Sequence, residues 1–445
     1  MIKPRLVICD NCLSIQDEYF SISMILKNLK IPSIGLVLFL VGLNLLYYIP
    51  VLIPSSRESG SSSGTYRYVF GAQLLILLGS FLETKASGYY FIKRYPIWVI
   101  ISVITLITTS CLSRITGFQW FDIFISQEPF IWLLFVPAVA LKYNNILWLI
   151  IILLIQALFG SIHSIYEIFI IGNTTREALL NQSDTFIFFG QSTYMSVFLL
   201  LLIPIFKSKY LTFIAVISYF IDCMNSFLAA KRYPILLIPV IFSLLIYLYY
   251  RRGIRVTKIS YSKYFFAIIT SFILIFTIFI FNSKNESINN DMIYVATKQI
   301  SERFNEKGNI TNTINENKRW DESNGAIGIM TLENWLIGKG VLNNQFNEGM
   351  IVVGGVHNSY LNSFFLGGIS LFLMLIIPLF MALKVLYYSH NPIRLASAAF
   401  IFFIYLKFPA FGVYTISSSW LLFCLLIGSC AISEYSVFVK KQSSL

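Results

Sequence analysis

The chain has 445 residues, of which 57% are hydrophobic and only 12% charged, and its mean hydropathy is +0.73. Soluble globular domains are about one quarter charged, so this composition excludes a soluble protein. The apolar runs are continuous and do not alternate, which excludes a transmembrane β-barrel. The net charge is +12, but the Lys and Arg residues are scattered over short loops without a basic stripe, which argues against nucleic-acid binding. The sequence predicts an all-α polytopic membrane protein.

About twelve apolar segments have the roughly 17 to 25 residues that a transmembrane helix needs. In chain order they are 33–53, 67–82, 97–112, 122–141, 146–170, 185–206, 210–229, 233–250, 264–282, 357–383, 395–411 and 413–433. They divide the chain into an N-terminal transmembrane bundle of about nine spans, a large polar loop, C-terminal transmembrane helices and a cytoplasmic tail, at 1–282, 283–356, 357–433 and 434–445.

The distribution of Lys and Arg predicts the orientation. If the N-terminus is cytoplasmic, the connecting segments on that side carry most of the basic residues, including Lys142 and five between 251 and 263. The polar loop 283–356 then lies outside, because it follows the ninth span. Helical spacing of apolar residues predicts two short helices in it, at 292–304 and 317–337, the second ending at Gly338.

A histidine and an arginine at the outer face are the first candidates for chemistry. His357 stands where the polar loop meets a span, and its near-neutral pKa suits a general acid or base. The alternative is an interfacial histidine that makes one hydrogen bond. Arg232, preceded by Lys231, lies in a tight outer turn where a guanidinium matches a phosphate in bidentate geometry. The alternative is an arginine that reaches lipid headgroups.

Further candidates lie on both sides of His357. Arg319 and Trp320 are in the polar loop, where the alternative for Arg319 is a solvated cation. Asn358 and Asn362 are four residues apart, hence on one helix face with Tyr360 nearby, and Asn amides suit sugar hydroxyls. The alternative is that these residues cap the helix or bond to neighbouring helices.

Polar residues within or at the ends of spans, the ionisable ones above all, are functional candidates too. They are Glu83, His163 and Glu167, Gln191 with its amide, and Asp222 and Asn225 on the helix that leads to Arg232. His163 and Glu167 are one turn apart, so the alternative is that they pair with each other. No metal site is predicted, because the Cys9–Cys12 pair has no second pair of ligands.

The outer features together resemble the O-antigen ligase/polymerase family, most closely its Wzy-type polymerases. The features are Arg232, Arg319, Gly338-Lys339-Gly340, His357-Asn358-Ser359-Tyr360-Leu361 and Gly367-Gly368-Ile369. The similarity is best over about 315–372 and at Arg232, and the rest of the chain shares only the layout of spans.

The resemblance implies a GT-C-like, inverting, metal-independent glycosyltransferase of the bacterial inner membrane, with no cofactor and with its active site facing the periplasm. Its donor would be an undecaprenyl-diphosphate-linked oligosaccharide, and its partners membrane lipid and a chain-length regulator protein. By the same analogy Arg232 and Arg319 hold the diphosphate, and His357 positions or deprotonates the acceptor hydroxyl. Lys231, Trp320, Asn358, Tyr360 and Asn362 bind substrate.

Two other functions stay open at this stage. A ligase of the same family would transfer the glycan to lipid A core and not to another lipid-linked repeat unit. A polysaccharide or lipid transporter would show repeated halves and charges at the membrane midplane. The sequence has no internal repeat that we find, and its polar residues are concentrated on one side, so we favour the polymerase.

Overall fold

The structure is a computed structural model that describes residues 29–52, 63–169, 194–202, 209–228, 330–340, 358–407 and 418–443, and the single positions 243, 244, 247, 325, 327 and 328. In these ranges the chain is nearly all helical and contains no strand. The helices are α1 (Ile34–Leu52), α2 (Ser63–Ala86), α3 (Tyr90–Arg94), α4 (Pro96–Ile115), α5 (Trp120–Phe135), a 3-10 helix (Val136–Leu141), α6 (Tyr143–Phe169), α7 (Lys209–Leu228), α8 (Leu332–Leu336), α9 (Ser359–Tyr388), α10 (Pro392–Lys407) and α11 (Ser418–Ser443). Residues 194–202 are helical as well.

Four of the described helices are long and apolar enough to cross a membrane, namely α4, α6, α9 and α11. Shorter apolar helical stretches occur in α1, α5 with the 3-10 helix, α7 and α10. The prediction of a helical membrane protein is therefore confirmed. The total of twelve spans stays a prediction, because 233–250 and 264–282 lie almost wholly outside the described residues.

Small residues allow the N-terminal helices to pack closely. A Cβ added at Gly42 of α1 would lie 2.7 Å from the Ala72 carbonyl oxygen of α2, and one at Gly79 would lie 2.5 Å from the Gly35 carbonyl oxygen. Backbones that approach this closely gain dispersion contacts, which are a main source of helix association in membranes. The α1–α2 hairpin is built in this way.

The predicted span 122–141 forms as a helix of two kinds. Its α-helical part, α5, contains Pro129 and passes into the 3-10 helix at Val136. The indole Nε1 of Trp420 in α11 donates to the Pro129 carbonyl oxygen at 2.8 Å. Further on, a Cβ at Gly428 would lie 1.8 Å from the Pro137 carbonyl oxygen. Helix α11 therefore packs against the irregular part of this span, from Pro129 to Pro137.

One end of the bundle contains a buried ion pair. Lys142 Nζ lies 3.0 Å from Glu83 Oε2, and the Ser33 hydroxyl bonds to Oε1 of the same carboxylate. These contacts bring together the start of α1, the end of α2 and the start of α6. Asn145 donates to Glu83 Oε2 at 3.2 Å. Glu83 was a candidate for function, but its side chain is 1% exposed and fully engaged. It joins three helices.

Most of the described basic side chains share this end, which we call the basic end. They are Lys30, Lys85, Lys93, Arg94, Lys142, Lys384 and Arg394. His390 is exposed at the same end. At the opposite end the described basic side chains are Arg114, at the end of α4, and Lys339. Among the described residues, basic side chains are therefore concentrated at one end of the bundle.

Candidate functional site at the break in helix α9

Helix α9 begins at Ser359, at the opposite end from the basic end and two residues after His357 in the sequence. Asn358 is its N-cap, and the side-chain oxygen of Asn358 accepts from the backbone N–H groups of Tyr360 at 3.1 Å and Leu361 at 3.3 Å. An amide in this position satisfies two N–H groups that the first turn leaves without helical partners. The side-chain oxygen of Asn358 therefore caps the helix, which is the alternative role that the sequence left open for this residue.

The helix is broken at Gly368, whose φ of 61° and ψ of −156° are not helical. The rings of Phe364 and Phe372 stack with centroids 4.4 Å apart. Eight residues rise about 12 Å along a straight α-helix, so two such rings would not meet without a bend. The break therefore folds the first part of α9, residues 359–367, back toward the remainder, residues 369–388.

The Gly-Lys-Gly segment of the polar loop lies against this break. The backbone N–H of Lys339 donates to the Phe365 carbonyl oxygen at 2.8 Å, and that of Gly340 donates to the Leu366 carbonyl oxygen at 2.9 Å. Helical partners for these two carbonyls would lie beyond Gly368. In apolar surroundings an unbonded carbonyl is costly, so the loop supplies donors that the broken helix lacks.

Only glycine fits at the points of closest contact. Gly338 has φ 84°, and a Cβ there would lie 2.6 Å from the Gly367 nitrogen. Gly340 has φ 94°, and its Cβ would lie 2.7 Å from the Ser113 hydroxyl of α4. At Gly368 the Cβ would lie 2.3 Å from the Leu336 carbonyl oxygen. The two glycine motifs, Gly338–Gly340 and Gly367–Gly368, thus pack directly against each other, and Gly340 also packs against α4.

Helix α8 prepares the Gly-Lys-Gly segment for this contact. Thr331 caps it, accepting from the Asn334 N–H at 3.3 Å, while the Asn334 side chain accepts from the Thr331 N–H at 3.2 Å. The prediction of one helix over 317–337 is wrong here, because Thr331 is extended and begins a new helix. The predicted stop is confirmed, since α8 ends just before Gly338.

Aromatic contacts hold the same region together. The ring of Trp335 in α8 lies 4.9 Å from that of Phe364 in α9. Lys339 Nζ lies 5.2 Å from the centroid of the Phe365 ring, a cation–π geometry, and the Lys339 side chain is exposed. The segment therefore places a cation at a fixed point of this end.

Asn362 and Tyr360 differ in what their side chains do. The Tyr360 hydroxyl donates to the Tyr405 carbonyl oxygen of α10 at 3.1 Å, the interhelical bond that the sequence left open as an alternative. The side-chain oxygen of Asn362 is buried and has no hydrogen-bond partner among the described residues. Of the two predicted amides, Asn362 is thus the one whose side-chain oxygen accepts no hydrogen bond from the described residues.

Polar residues of α4 and α5 form hydrogen bonds next to the break in α9. Gln127 Nε2 donates to the Thr109 hydroxyl at 2.8 Å and to the Leu106 carbonyl oxygen at 3.0 Å. A Cβ at Gly367 would lie 3.0 Å from Thr109 Cγ2. In the sequence Gln127 only interrupted an apolar run. A polar residue in the middle of a predicted span was the signal that could have assigned it to this supporting role.

The structure does not describe the three predicted catalytic residues, His357, Arg232 and Arg319. Lys231 and Trp320 also lie outside the described residues, so none of their roles is tested.

The same holds for part of the intramembrane group. Gln191 and the side chains of Glu167, Asp222 and Asn225 are not described. His163 is, and its ring lies parallel to that of Phe159 with centroids 6.3 Å apart. Within the described part of the chain, no three His, Cys, Asp or Glu residues are grouped to hold a metal ion.

No family model matches this sequence, and no curated protein matches it significantly.

Proposed function

We propose that the protein is an O-antigen polymerase. It transfers glycan from undecaprenyl diphosphate to the non-reducing end of another lipid-linked repeat unit at the periplasmic face, without a metal ion. The observation that supports this most is the contact between two motifs of the resemblance. Gly338-Lys339-Gly340 donates two backbone hydrogen bonds at the Gly367–Gly368 break, in the helix that begins two residues after His357 in the sequence.

The charge asymmetry of the bundle supports the proposed location. Cytoplasmic connections of membrane proteins are enriched in Lys and Arg, so the basic end is the cytoplasmic one in this proposal. The opposite end, with α8 and the start of α9, then faces the periplasm of a bacterial inner membrane. A lipid-linked donor would reach it from the outer leaflet.

The chemistry requires charge stabilisation at the leaving group and removal of one proton. The acceptor hydroxyl oxygen forms a bond to the anomeric carbon of the donor, and the bond from that carbon to the diphosphate oxygen breaks. His357 takes the hydroxyl proton, and undecaprenyl diphosphate leaves with the electron pair. Arg232 and Arg319 neutralise the diphosphate, a task that a divalent metal performs in other enzymes.

An unused acceptor lies near the start of α9. The Asn362 side-chain oxygen is buried and unbonded among the described residues, so in this proposal it accepts from a sugar hydroxyl after neighbouring side chains move aside. Lys231, Trp320, Asn358 and Tyr360 complete the proposed substrate-binding set. Since the Asn358 oxygen and the Tyr360 hydroxyl are bonded within the fold, Asn362 is the member we expect to contribute most to binding.

The test uses purified full-length protein with lipid-diphosphate-linked repeat units and EDTA, and a gel that resolves glycan length. A ladder without lipid A acceptor supports the polymerase. Transfer that requires lipid A core contradicts it and identifies a ligase. The transporter alternative predicts movement of the intact lipid-linked glycan across vesicles without any new glycosidic bond.

Two variants connect that assay to the proposed residues. His357→Ala removes the base, and loss of a general base typically slows a reaction by about 10²- to 10⁴-fold. Arg232→Lys keeps the charge but loses the bidentate fork, so we expect strongly reduced activity. Normal ladders in both variants, at normal protein levels in the membrane, would overturn the proposed site.

A further inference from the structure

The basic end has a group of side chains that the proposed reaction does not use. We call it the Glu434 cluster: Arg94, Tyr95, Lys384, Arg394 and Glu434. Arg94 Nε lies 3.4 Å from Glu434 Oε2, while Arg394 Nη2 and Lys384 Nζ lie 3.3 Å and 4.0 Å from Oε1. Three cations share one carboxylate. Two positive charges are therefore uncompensated within the cluster.

The cations differ in how firmly they are held. The Arg394 side chain is 12% exposed and also donates from Nε to the Cys430 carbonyl oxygen. Arg94 and Lys384 are 51% and 57% exposed, and Lys384 Nζ is beyond hydrogen-bond distance of Glu434. Arg394 and Glu434 thus form the rigid, partly buried part of the cluster, and Arg94 and Lys384 offer N–H donors at the surface.

The phenol of Tyr95 also belongs to the rigid part of the cluster. Burial, with Glu434 and Tyr90 nearby, raises the pKa of Tyr95 above its usual value. The phenol therefore stays protonated and donates to Glu434 Oε2 at 3.1 Å. The carboxylate is held in place by bonds from several elements of the fold.

A helix N-terminus adds to the positive potential at the same place. Helix α4 has 20 residues, begins at Pro96 directly after Tyr95, and has no side-chain cap. The first N–H groups of a helix have no helical acceptors and carry the positive end of its dipole, which favours a nearby anion. The cations and the start of α4 therefore favour the same kind of ligand.

The surface around the cluster is aromatic and apolar. At the end of α9, Tyr387 and Tyr388 are 71% and 68% exposed, and Ile97 in the first turn of α4 is 71% exposed. Exposed tyrosines at the ends of membrane helices are typical of the headgroup level of the bilayer. A ligand that combines a phosphate with apolar chains fits both parts of this surface.

We propose that the Glu434 cluster binds the headgroup of an anionic phospholipid. The phosphodiester accepts hydrogen bonds from Arg94 and Lys384, and the acyl chains lie along the exposed apolar surfaces of α4 and α9. Clusters of Lys and Arg at the ends of membrane helices recognise anionic headgroups in this way. A zwitterionic lipid offers the same phosphate with an added positive charge, so the two excess cations disfavour it. This inference does not depend on the proposed function.

The experiment uses purified full-length protein in neutral detergent, titrated with phosphatidylglycerol, with bound lipid counted by native mass spectrometry. We expect Arg94→Gln and Lys384→Gln each to weaken binding about fivefold, the factor that corresponds to roughly 1 kcal/mol per basic residue. Lys85→Gln is the matched control, because Lys85 is an exposed cation of the same end outside the cluster. Arg394 is left intact, since its loss would leave a partly buried carboxylate with less compensation.

Three results would overturn the proposal. Equal binding of phosphatidylcholine would show that the excess charge does not select the lipid. Equal loss in Lys85→Gln would show that overall charge, and not the cluster, attracts lipid. Full competition by inorganic phosphate at the lipid concentration would indicate a site for a free anion.

Discussion

Gly368 has a backbone conformation that a residue with a side chain rarely adopts, and its position leaves no room for one. A Cβ would lie 2.3 Å from the Leu336 carbonyl oxygen. We expect Gly368→Ala to lower the free energy of unfolding by about 3 kcal/mol, because backbone strain and overpacking each cost roughly 1 to 3 kcal/mol. Thermal unfolding in detergent would measure the change.

Gly71 provides the control for that measurement. It lies in α2, and apart from the backbone of its own helical turns no atom lies within 4 Å of the Cβ that Gly71→Ala would add. Alanine is favoured over glycine in helices by about 0.5 to 1 kcal/mol, so this variant should be neutral or more stable. Equal destabilisation at both glycines would show that the loss of stability in Gly368→Ala does not come from the break in α9.

The Glu83–Lys142 pair allows a second prediction at this scale. Lys142→Gln leaves a carboxylate that is 1% exposed without its cation. Breaking a buried pair typically costs about 3 to 5 kcal/mol, and because Lys142 is 33% exposed we expect about 2 kcal/mol.

The double variant Glu83→Gln/Lys142→Gln should recover part of this loss, since it removes the unpaired charge. Chemical or thermal unfolding of Lys142→Gln, Glu83→Gln and the double variant would show the recovery. If the double variant loses as much stability as the two single variants added together, the pair is not coupled.

At the scale of elements, the contact of the Gly-Lys-Gly segment with α9 predicts a pattern of hydrogen exchange. The amides of Lys339 and Gly340 are bonded to α9 carbonyls, so they should exchange slowly although Lys339 is exposed. Gly338→Ala would place a Cβ 2.6 Å from the Gly367 nitrogen and should speed that exchange. Mass spectrometry of peptides covering 338–340 would measure it.

Lys339→Gln is the matched control for the exchange measurement. It keeps the backbone N–H and both glycines, so the exchange of the two amides should not change. Fast exchange in the unmodified protein would contradict the contact itself.

The helices could be predicted well where they are continuous apolar runs. The predicted span 97–112 corresponds to Pro96–Ile115, and 33–53 to Ile34–Leu52. The break in α9 could not be predicted, because two glycines in an apolar run are equally compatible with an unbroken helix. What decides it is a donor segment 26 residues earlier in the chain, at Lys339 and Gly340. Periodicity carries no information on such distant pairs.

The candidate site could be predicted in part for the same reason. Helical spacing placed Asn358 and Asn362 one turn apart, and the Asn362 N–H donates to the Asn358 carbonyl oxygen at 2.8 Å, while their joint role in binding substrate stays a prediction. Their separate roles depend on the start of α9 and on its neighbours: Asn358 caps, while the Asn362 oxygen stays unbonded among the described residues. The contribution of Gln127 was missed because its partner Thr109 is in another span.

For the whole molecule, the separation of charge between the two ends predicts opposite accessibility. Single cysteines would be introduced as Lys85→Cys and Lys339→Cys after the six native cysteines are replaced by alanine. A membrane-impermeant maleimide applied from the periplasm should label position 339 in intact cells. It should label position 85 only after the inner membrane is opened.

Both positions are exposed, so a difference in labelling reports the side of the membrane and not burial. Labelling of both positions from one side would contradict the arrangement of the helices. Labelling with the sides exchanged would keep the fold but invert the orientation, and the proposed periplasmic reaction would then be wrong.

The Gly-Lys-Gly segment is joined to α9 through main-chain atoms, and its two hydrogen bonds need no particular side chain on either partner. The attachment therefore needs Gly338 and Gly340 together with the capped helix α8 that precedes them. The parts of 283–356 outside 331–340 donate neither of these two bonds. A loop from another protein should therefore seat on this membrane bundle if it keeps the equivalent of residues 331–340. Under the proposed function, glycan specificity would then be a transplantable part of the molecule.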